Sequence, residues 1–289
     1  MKRRHFIKSA VIGAGVFGLS SFPHYLYAGD SKKYAHDRVI LGDTGIEVSR
    51  MAMGTGSSGW NGSSNQTRNL GIKGLSDLLR NGYDNGITFF ESADQYGSHP
   101  HLREALKNIP REKVVILTKT VANTADEMKE DLVRFRKELG TDYIDILLLH
   151  FQRAGDWNVQ KKGVMEVLSQ AREDGIVRAN GVSCHSLEAM ETAVDEPWAE
   201  VMLSRFNPGE ARMDGSVPVI RKVLEKYKEK GKGIIQMKVF GCGELINKRD
   251  ECLQFALGHS CIDSFTIGVE QAEQLTDLLE RIPAASVRG

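Results

Sequence analysis

The stretch Tyr143-Ile-Asp-Ile-Leu-Leu-Leu-His150 is an almost unbroken run of isoleucine and leucine that ends in a histidine. A strand that is apolar at nearly every position, rather than at alternate ones, is typical of a parallel sheet covered on both faces. The histidine stands where this apolar run ends. The segment therefore predicts an inner strand of an α/β protein, with a polar side chain at its carboxyl end.

Similar short segments recur on either side of this strand, each bounded by turn residues. With it they make eight predicted strands, at 48–54, 87–93, 114–120, 143–150, 179–184, 200–207, 233–240 and 264–269. Helical patterns follow them, at 70–85, 101–108, 125–139, 159–174, 187–194, 217–230, 250–258 and 272–282. Strict alternation of strand and helix predicts an α/β fold of the (β/α)8 TIM-barrel class, and 289 residues suit one such barrel.

Ahead of the barrel, residues 38–49 have the pattern of a β-hairpin with a turn at 42–45. We expect this hairpin to cap the bottom of the barrel. The sequence shows no linker, repeat array or low-complexity tract, so residues 29–289 are interpreted as a single barrel domain.

Charge and cysteine content argue against several classes of protein. Lysine plus arginine and aspartate plus glutamate each number 38, so the charge balance predicts no nucleic-acid partner. The four cysteines include no C-x-x-C pair, which argues against a zinc ribbon or an iron–sulfur protein.

Residues 1–28 have the pattern of a signal peptide. The basic segment Arg3-Arg4-His5-Phe6-Ile7-Lys8 precedes a short, weakly apolar run, and Ala28 offers a cleavage point. The pattern resembles the twin-arginine signal, so the twin-arginine (Tat) export machinery is an expected partner and a periplasmic or exported location is expected. The apolar run is too short for a stable bilayer-spanning helix, so no membrane span is expected in the mature form. An uncleaved N-terminal anchor is the alternative.

Two stretches, 13–18 and 54–59, match the dinucleotide-binding pattern G-x-G-x-x-G. The first has no strand–turn–helix context. The second follows a strand, but the polar stretch 60–69 comes after it, where we expect a loop rather than a helix. Neither is therefore interpreted as a dinucleotide-binding turn.

Four chemically active side chains stand at or just beyond the ends of three consecutive predicted strands. Glu91 and Tyr96 follow the second strand, Lys119 ends the third and His150 ends the fourth. In a barrel these ends meet at one mouth. A buried lysine needs a carboxylate, so Glu91 is expected to pair with Lys119. The cation is then expected to lower the pKa of Tyr96, which would protonate a carbonyl oxygen that His150 holds in place.

The segment Ile87-Thr-Phe-Phe-Glu-Ser-Ala-Asp-Gln-Tyr-Gly97, followed in order by Lys119 and His150, resembles the aldo-keto reductase family. The resemblance covers roughly residues 38–282. It implies an NAD(P)H-dependent reductase of aldehydes or ketones in which Tyr96 is the general acid. The family's aspartate falls on Glu91, which keeps the acid but is one methylene longer.

The same resemblance implies a set of cofactor contacts at the later strands. Ser183 keeps the family's serine, Cys184 stands for its asparagine, and Leu203 stands for its glutamine. The other implied contacts are Met237, Lys238, Gly241, Gly268 and Gln274. The family habit implies NADP(H). NAD(H) is the alternative, because the Lys and Arg of many NADPH-using members are missing and Glu270 would repel a 2′-phosphate.

The aromatic residues Trp60, Phe151 and Trp157 lie in loops after the first and fourth strands. We expect them to wall an apolar pocket for a small-molecule carbonyl substrate, with simple loop packing as the alternative.

Two other functions stay open. His99 and His101 have the H-x-H spacing of barrel metal sites, which would suit a metal-dependent hydrolase. No metal is expected, however, because Lys119 would compete with a cation. A cofactor-binding or sensing module with little catalysis is the other alternative, since Glu91, Cys184 and Leu203 depart from the family pattern.

Overall fold

The computed structural model describes residues 32–287, so the predicted signal peptide at 1–28 lies outside the described residues. The strands are β1 (Arg38–Ile40), β2 (Glu47–Ser49), β3 (Met51–Gly54), β4 (Phe89–Glu91), β5 (Val115–Thr120), β6 (Ile144–Gln152), β7 (Val177–Cys184), β8 (Val201–Arg205), β9 (Gly233–Met237) and β10 (Ser264–Gly268). The helices are α1 (Asn65–Asp84), α2 (His99–Leu106), α3 (Ala125–Leu139), α4 (Trp157–Gln160), α5 (Lys162–Glu173), α6 (Leu187–Asp195), α7 (Val217–Glu229), α8 (Arg249–Gly258) and α9 (Ala272–Ser286).

Strands β3 to β10 close into a barrel in chain order, with β10 pairing β3, and every neighbouring pair is parallel. The predicted (β/α)8 barrel is therefore confirmed. Among residues 32–287, none of the helices combines the length and the apolar character that a bilayer crossing needs.

Alternate strand residues face opposite sides of the barrel wall and build two apolar layers. Leu117, Ile146 and Ala179 are register partners and lie inside the barrel. Their neighbours Ile116 and Leu147 lie in the outer layer, against the helices. Because side chains alternate along a regular strand, the orientation of a side chain near a strand end follows from the layer that its neighbours occupy.

The predicted hairpin is confirmed and closes the amino-terminal end of the barrel. β1 and β2 pair antiparallel, and Leu41 and Ile46 between them are buried with the inner barrel residues. Burying each such side chain contributes about 1.5–3 kcal/mol. The turn approaches β9 so closely that a Cβ on Gly42 would lie 2.4 Å from the carbonyl oxygen of Gly231, so only glycine fits. With the bottom plugged, the opposite end of the barrel is left for a site.

Two helices differ from the prediction. The loop expected at 60–69 ends early, and α1 begins at Asn65. Ser64 is the N-cap of this helix and forms a capping box with Thr67. Helical geometry is then interrupted at Gly71, near the predicted start of this helix. The pattern at 159–174 covers two helices, α4 and α5, rather than one.

Candidate active site

The four predicted catalytic residues meet at the carboxyl end of the barrel. Glu91 ends β4, Lys119 lies in β5 and His150 in β6, while Tyr96 closes the short 3-10 turn that follows β4. The Nζ atom of Lys119 lies 3.3 Å from the hydroxyl oxygen of Tyr96. The rings of Tyr96 and His150 meet edge to face, with centroids 5.7 Å apart. The structure thus places these side chains together as the barrel prediction requires.

Glu91 and Lys119 form a buried ion pair. Lys119 is fully buried, and its Nζ donates to the carboxylate of Glu91 and, at 2.6 Å, to the carbonyl oxygen of Ser92. Thr266 donates to the second carboxylate oxygen of Glu91 at 3.3 Å. Burial lowers the pKa of Lys119, and Glu91 opposes that shift. The longer glutamate therefore still supplies the counter-charge.

The expectation that Lys119 lowers the pKa of Tyr96 is wrong for this site. Burial raises the pKa of Tyr96 well above its usual value, and the charge of Glu91 raises it further. Because Glu91 is bonded to the ammonium, the pair presents little net positive charge to the phenol. Tyr96 is therefore protonated at neutral pH and holds a proton that it can donate.

His150 is neutral at neutral pH. Burial is the largest cause that lowers its pKa well below the usual value, and the positive charges of Lys119 and Lys238 add to it. Burial likewise lowers the pKa of His185 to about 3. A neutral imidazole with one N–H can donate a hydrogen bond to a substrate oxygen without transferring a proton.

Two glycines of the stretch 54–59 make room for the catalytic tyrosine. A Cβ on Gly56 would lie 2.2 Å from the ring of Tyr96, and one on Gly59 would lie 2.5 Å from it. The glycine pattern that was set aside as a dinucleotide turn therefore positions Tyr96 instead. The sequence signal was the glycine spacing, but only the fold shows which ring it accommodates.

A cavity of about 520 Å³ opens beside this cluster. Its wall includes Tyr96 and His150 as well as Gly268 and Gln274. The cavity wall also includes two more of the predicted cofactor contacts, Met237 and Lys238. Cys242, which was not predicted as a contact, lines it as well. Lys238 is the only lysine or arginine among the residues of the cavity wall. Burial lowers its pKa.

Three predicted cofactor contacts, Ser183, Cys184 and Gly241, do not line the cavity. Cys184 is fully buried in the outer layer between barrel and helices, because it follows the inward-facing Ser183 and so points to the opposite side of β7. Gly241 is buried against Ala211 and Leu245, and its neighbours in the chain line the cavity in its place.

Ser183 faces inward beside its register partner Leu203, a member of the inner layer. Its buried hydroxyl has no hydrogen-bond partner among the described residues, and the same holds for the Nδ1 atoms of His150 and His185. Such groups cost about 1–3 kcal/mol each when they stay unpaired, so a ligand that supplies partners is favoured. The orphaned imidazole nitrogens of His150 and His185, which both line the cavity, and the cation of Lys238 suit a bound nicotinamide dinucleotide.

Two of the three predicted substrate-wall residues line the cavity. The ring centroids of Trp60 and Phe151 lie 5.5 Å apart. His185, which was not predicted as part of this wall, also lines the cavity, with its ring centroid 4.3 Å from that of Phe151. The prediction for Trp157 is wrong. Its side chain is fully buried, and its indole N–H donates to the carbonyl oxygen of Ala189 at 3.1 Å, so it belongs to the packing of α4 on α6.

The predicted H-x-H pair does not form a metal site. His99 uses both ring nitrogens, at 2.8 Å to a carboxylate oxygen of Glu138 and at 2.7 Å to the hydroxyl of Thr118. Across residues 32–287, no three histidine, cysteine, aspartate or glutamate side chains cluster as metal ligands. A metal-dependent hydrolase is not favoured.

A parallel barrel with Tyr96, Lys119, His150 and a carboxylate at its mouth belongs among the (β/α)8 barrels whose site is built from strand ends. The sequence matches the Aldo/keto reductase family over residues 50–282, and the chain belongs to this family. It is 31% identical over 195 residues to Aldo-keto reductase YhdN of Bacillus subtilis, a match that covers 61% of this chain and 56% of that protein. It is 28% identical over 173 residues to the NADH-specific methylglyoxal reductase of Escherichia coli, covering 50% of this chain and 51% of that protein.

The chain thus spans about half the length of these curated relatives. The barrel also superimposes on a solved aldo-keto reductase from Bacillus halodurans with a TM-score of 0.70, over 87% of this chain and 91% of that one. The two sequences are 15% identical, so this likeness shows the fold alone.

Proposed function

We propose that the protein reduces aldehydes or ketones with NAD(P)H, and that Tyr96 donates the proton. The observation that carries the proposal is the position of the Tyr96 hydroxyl. It lies at the wall of the cavity, 3.3 Å from a buried ammonium, and it is protonated because burial raises its pKa. When bound, the nicotinamide would supply a hydride to the carbonyl carbon.

The residues of the chain then handle the oxygen. As negative charge develops there, the oxygen becomes an alkoxide, a stronger base than a phenolate, so Tyr96 can protonate it in spite of its raised pKa. Lys119 can keep its hydrogen bond to the oxygen of the phenolate that remains, because its Nζ already lies beside the hydroxyl. Neutral His150 donates a hydrogen bond that orients the substrate, and Trp60 and Phe151 provide apolar surface beside it.

Several residues would hold the cofactor. The imidazole nitrogen of His185 is unpaired and buried at the cavity wall, and Lys238 provides the cation for a pyrophosphate. Methylglyoxal is a sensible first member of a carbonyl panel, since a relative in Escherichia coli is named a methylglyoxal reductase.

The test compares Tyr96→Phe with the wild type. Loss of a general acid is expected to lower kcat by about 10²–10⁴-fold. Binding of NADPH or NADH, followed by tryptophan fluorescence, is expected to stay within a few fold. Tyr143→Phe is the matched control, because Tyr143 lies at the other end of β6, outside the cavity wall. Equal turnover by wild type and Tyr96→Phe would contradict the proposal and favour a binding or sensing module.

We also propose that residues 1–28 direct export through the twin-arginine machinery, so that the folded protein acts in the periplasm or outside the cell. The support is the segment Arg3-Arg4-His5-Phe6-Ile7-Lys8 and the short apolar run after it. Fractionation of cells is expected to find the wild type outside the cytoplasm and the Arg3→Lys, Arg4→Lys double variant inside it. Equal distribution of the two proteins would refute this proposal.

A further inference from the structure

Tyr96 belongs to a short segment, residues 94–99, whose two ends are bonded to helix α3 outside the barrel. A 3-10 turn ends at Tyr96, Gly97 follows in the left-handed conformation, and α2 begins at His99. Neither Asp94 nor His99 is part of the cavity wall. The segment therefore carries the proton donor on one side and polar side chains that face the outer layer on the other.

His99 joins this segment to strand β5, which carries Lys119. Its imidazole is buried, and Nε2 lies 2.7 Å from the hydroxyl of Thr118 in that strand. Its Nδ1 donates to a carboxylate oxygen of Glu138 at 2.8 Å, since a carboxylate only accepts. The ring also packs edge to face against Phe135, with centroids 4.9 Å apart. An imidazole bonded at both nitrogens and packed on an aromatic ring has one orientation.

The two threonines beside Lys119 fix the same stretch of β5 from outside. Leu117 lies in the inner layer, so Lys119 faces inward and the side chains of Thr118 and Thr120 face outward. Thr118 makes the imidazole bond, and Thr120 donates to Asp131 of α3 at 2.6 Å. Both bonds flank the residue whose Nζ lies 3.3 Å from the phenol hydroxyl.

Arg134 of α3 closes the network at the other end of the segment. Its guanidinium donates to Asp94 at 2.6 Å, to Asp131 at 2.6 Å and to Glu138 at 3.3 Å. The hydrogen bond from His99 is the largest cause that lowers the pKa of Glu138, so this carboxylate is ionised at neutral pH and accepts both bonds. One face of α3 therefore bonds to both ends of the tyrosine segment and to the lysine strand.

We propose that His99 is a positioning residue that holds the hydroxyl of Tyr96 in place beside the ammonium of Lys119. Glu138 and Arg134 fix the imidazole in turn. The inference rests on the proposed function, because it requires that Tyr96 donates a proton to a substrate oxygen. A misplacement of about 1 Å in a reacting group can lower a rate by about 10²-fold, so a bond outside the cavity can control turnover inside it.

A double-mutant cycle with Tyr96→Phe tests the inference, with the carbonyl that the wild type reduces fastest as substrate. His99→Leu removes both imidazole bonds, and Thr118→Val removes the hydroxyl alone. Each is expected to lower kcat by at least about tenfold, while the Kd for NADH or NADPH stays within about threefold. In the Tyr96→Phe background each is expected to lower kcat by less than about twofold, because the donor that they position is gone.

Thr88→Val is the matched control. Thr88 is also a buried threonine, but it precedes β4 at the amino-terminal end of the barrel, where its hydroxyl accepts from Arg38. Its kcat is expected to stay within about twofold of the wild type, since the change lies far from the strand ends that build the site. Thermal melting of all variants is compared with that of Thr88→Val, and Thr118→Val decides the outcome if His99→Leu does not fold.

The outcomes separate the two proposals. Equal fold losses in the wild-type and Tyr96→Phe backgrounds would show that His99 does not act through Tyr96, which overturns the inference and leaves the proposed function standing. Wild-type kcat in both His99→Leu and Thr118→Val would do the same. Failure of the wild type to reduce any carbonyl of the panel with either dinucleotide would overturn the proposed function and this inference with it.

Discussion

Replacing Glu91 by glutamine would leave the ammonium of Lys119 buried without its counter-charge. Lys119 is fully buried, and only 5% of Glu91 is exposed. Glutamine has nearly the shape of glutamate, so packing changes little and the effect is one of charge. Removal of one partner from a buried ion pair costs about 3–5 kcal/mol, and we expect the free energy of unfolding of Glu91→Gln to fall by that amount at neutral pH.

The deficit is expected to shrink as the pH rises. Burial lowers the pKa of Lys119 and Glu91 raises it, so loss of Glu91 lowers the pKa of Lys119 in the folded state further. In the unfolded chain the lysine titrates near about 10.4. Between these two pKa values the unfolded state binds more protons, so stability rises with pH, by up to about 1.4 kcal/mol per pH unit for this group.

Urea unfolding followed by circular dichroism measures both effects. Lys119→Met and the double variant complete a cycle, and the double variant is expected to lose less than the sum of the single ones, since it leaves no unpaired charge. Glu225→Gln is the control. It removes a partner from the exposed Arg221–Glu225 pair and is expected to cost less than about 1 kcal/mol. A loss below about 1 kcal/mol in Glu91→Gln, or a deficit that grows with pH, would refute the reasoning.

Three further predictions concern other parts of the molecule. Gly56→Ala places a Cβ 2.2 Å from the ring of Tyr96, so kcat is expected to fall by at least about tenfold with little change in the melting temperature; an unchanged kcat would contradict this. Cys242 is exposed and the other three cysteines are buried, so a thiol reagent is expected to label one thiol quickly in the folded protein, and NADH or NADPH is expected to slow that labelling. Burial lowers the pKa of His185 to about 3 and that of His259 to about 4. At and below about pH 6.5 these two histidines therefore bind more protons in the unfolded state than in the folded state. Together they are expected to lower the free energy of unfolding by about 3 kcal/mol between pH 7.5 and pH 5.5. An equal free energy of unfolding at the two pH values, measured with urea, would refute this.

Much of the fold follows from local pattern. Helix α3 has the predicted bounds, because Thr124 and Glu127 form its capping box and Gly140 ends it in the left-handed conformation. The start of α1 was missed, since its first turns are polar and its hydrophobic periodicity begins only later. A polar helix start that faces a cavity carries a weak signal in the sequence.

The candidate site was predictable in its members and less so in its details. Glu91, Lys119 and His150 were found because parallel strands deliver their ends to one mouth. Trp157 was assigned to the wrong surroundings, because nothing in a loop sequence says whether an aromatic ring faces a cavity or a neighbouring helix. His185 was not assigned to the substrate wall, because a lone histidine after a strand is an ambiguous signal.

The sequence by itself determined the barrel, its order of elements and the set of strand-end side chains, since these depend on spacing along one chain. The tertiary structure decided the raised pKa of Tyr96, the outward orientation of Cys184 and the placement of Gly56 under the tyrosine ring. It also placed Glu270 beside asparagines that are 201 and 205 positions away in the sequence. Burial, local charge and close approach are sums over neighbours from distant segments, and those neighbours are assigned only when the barrel closes.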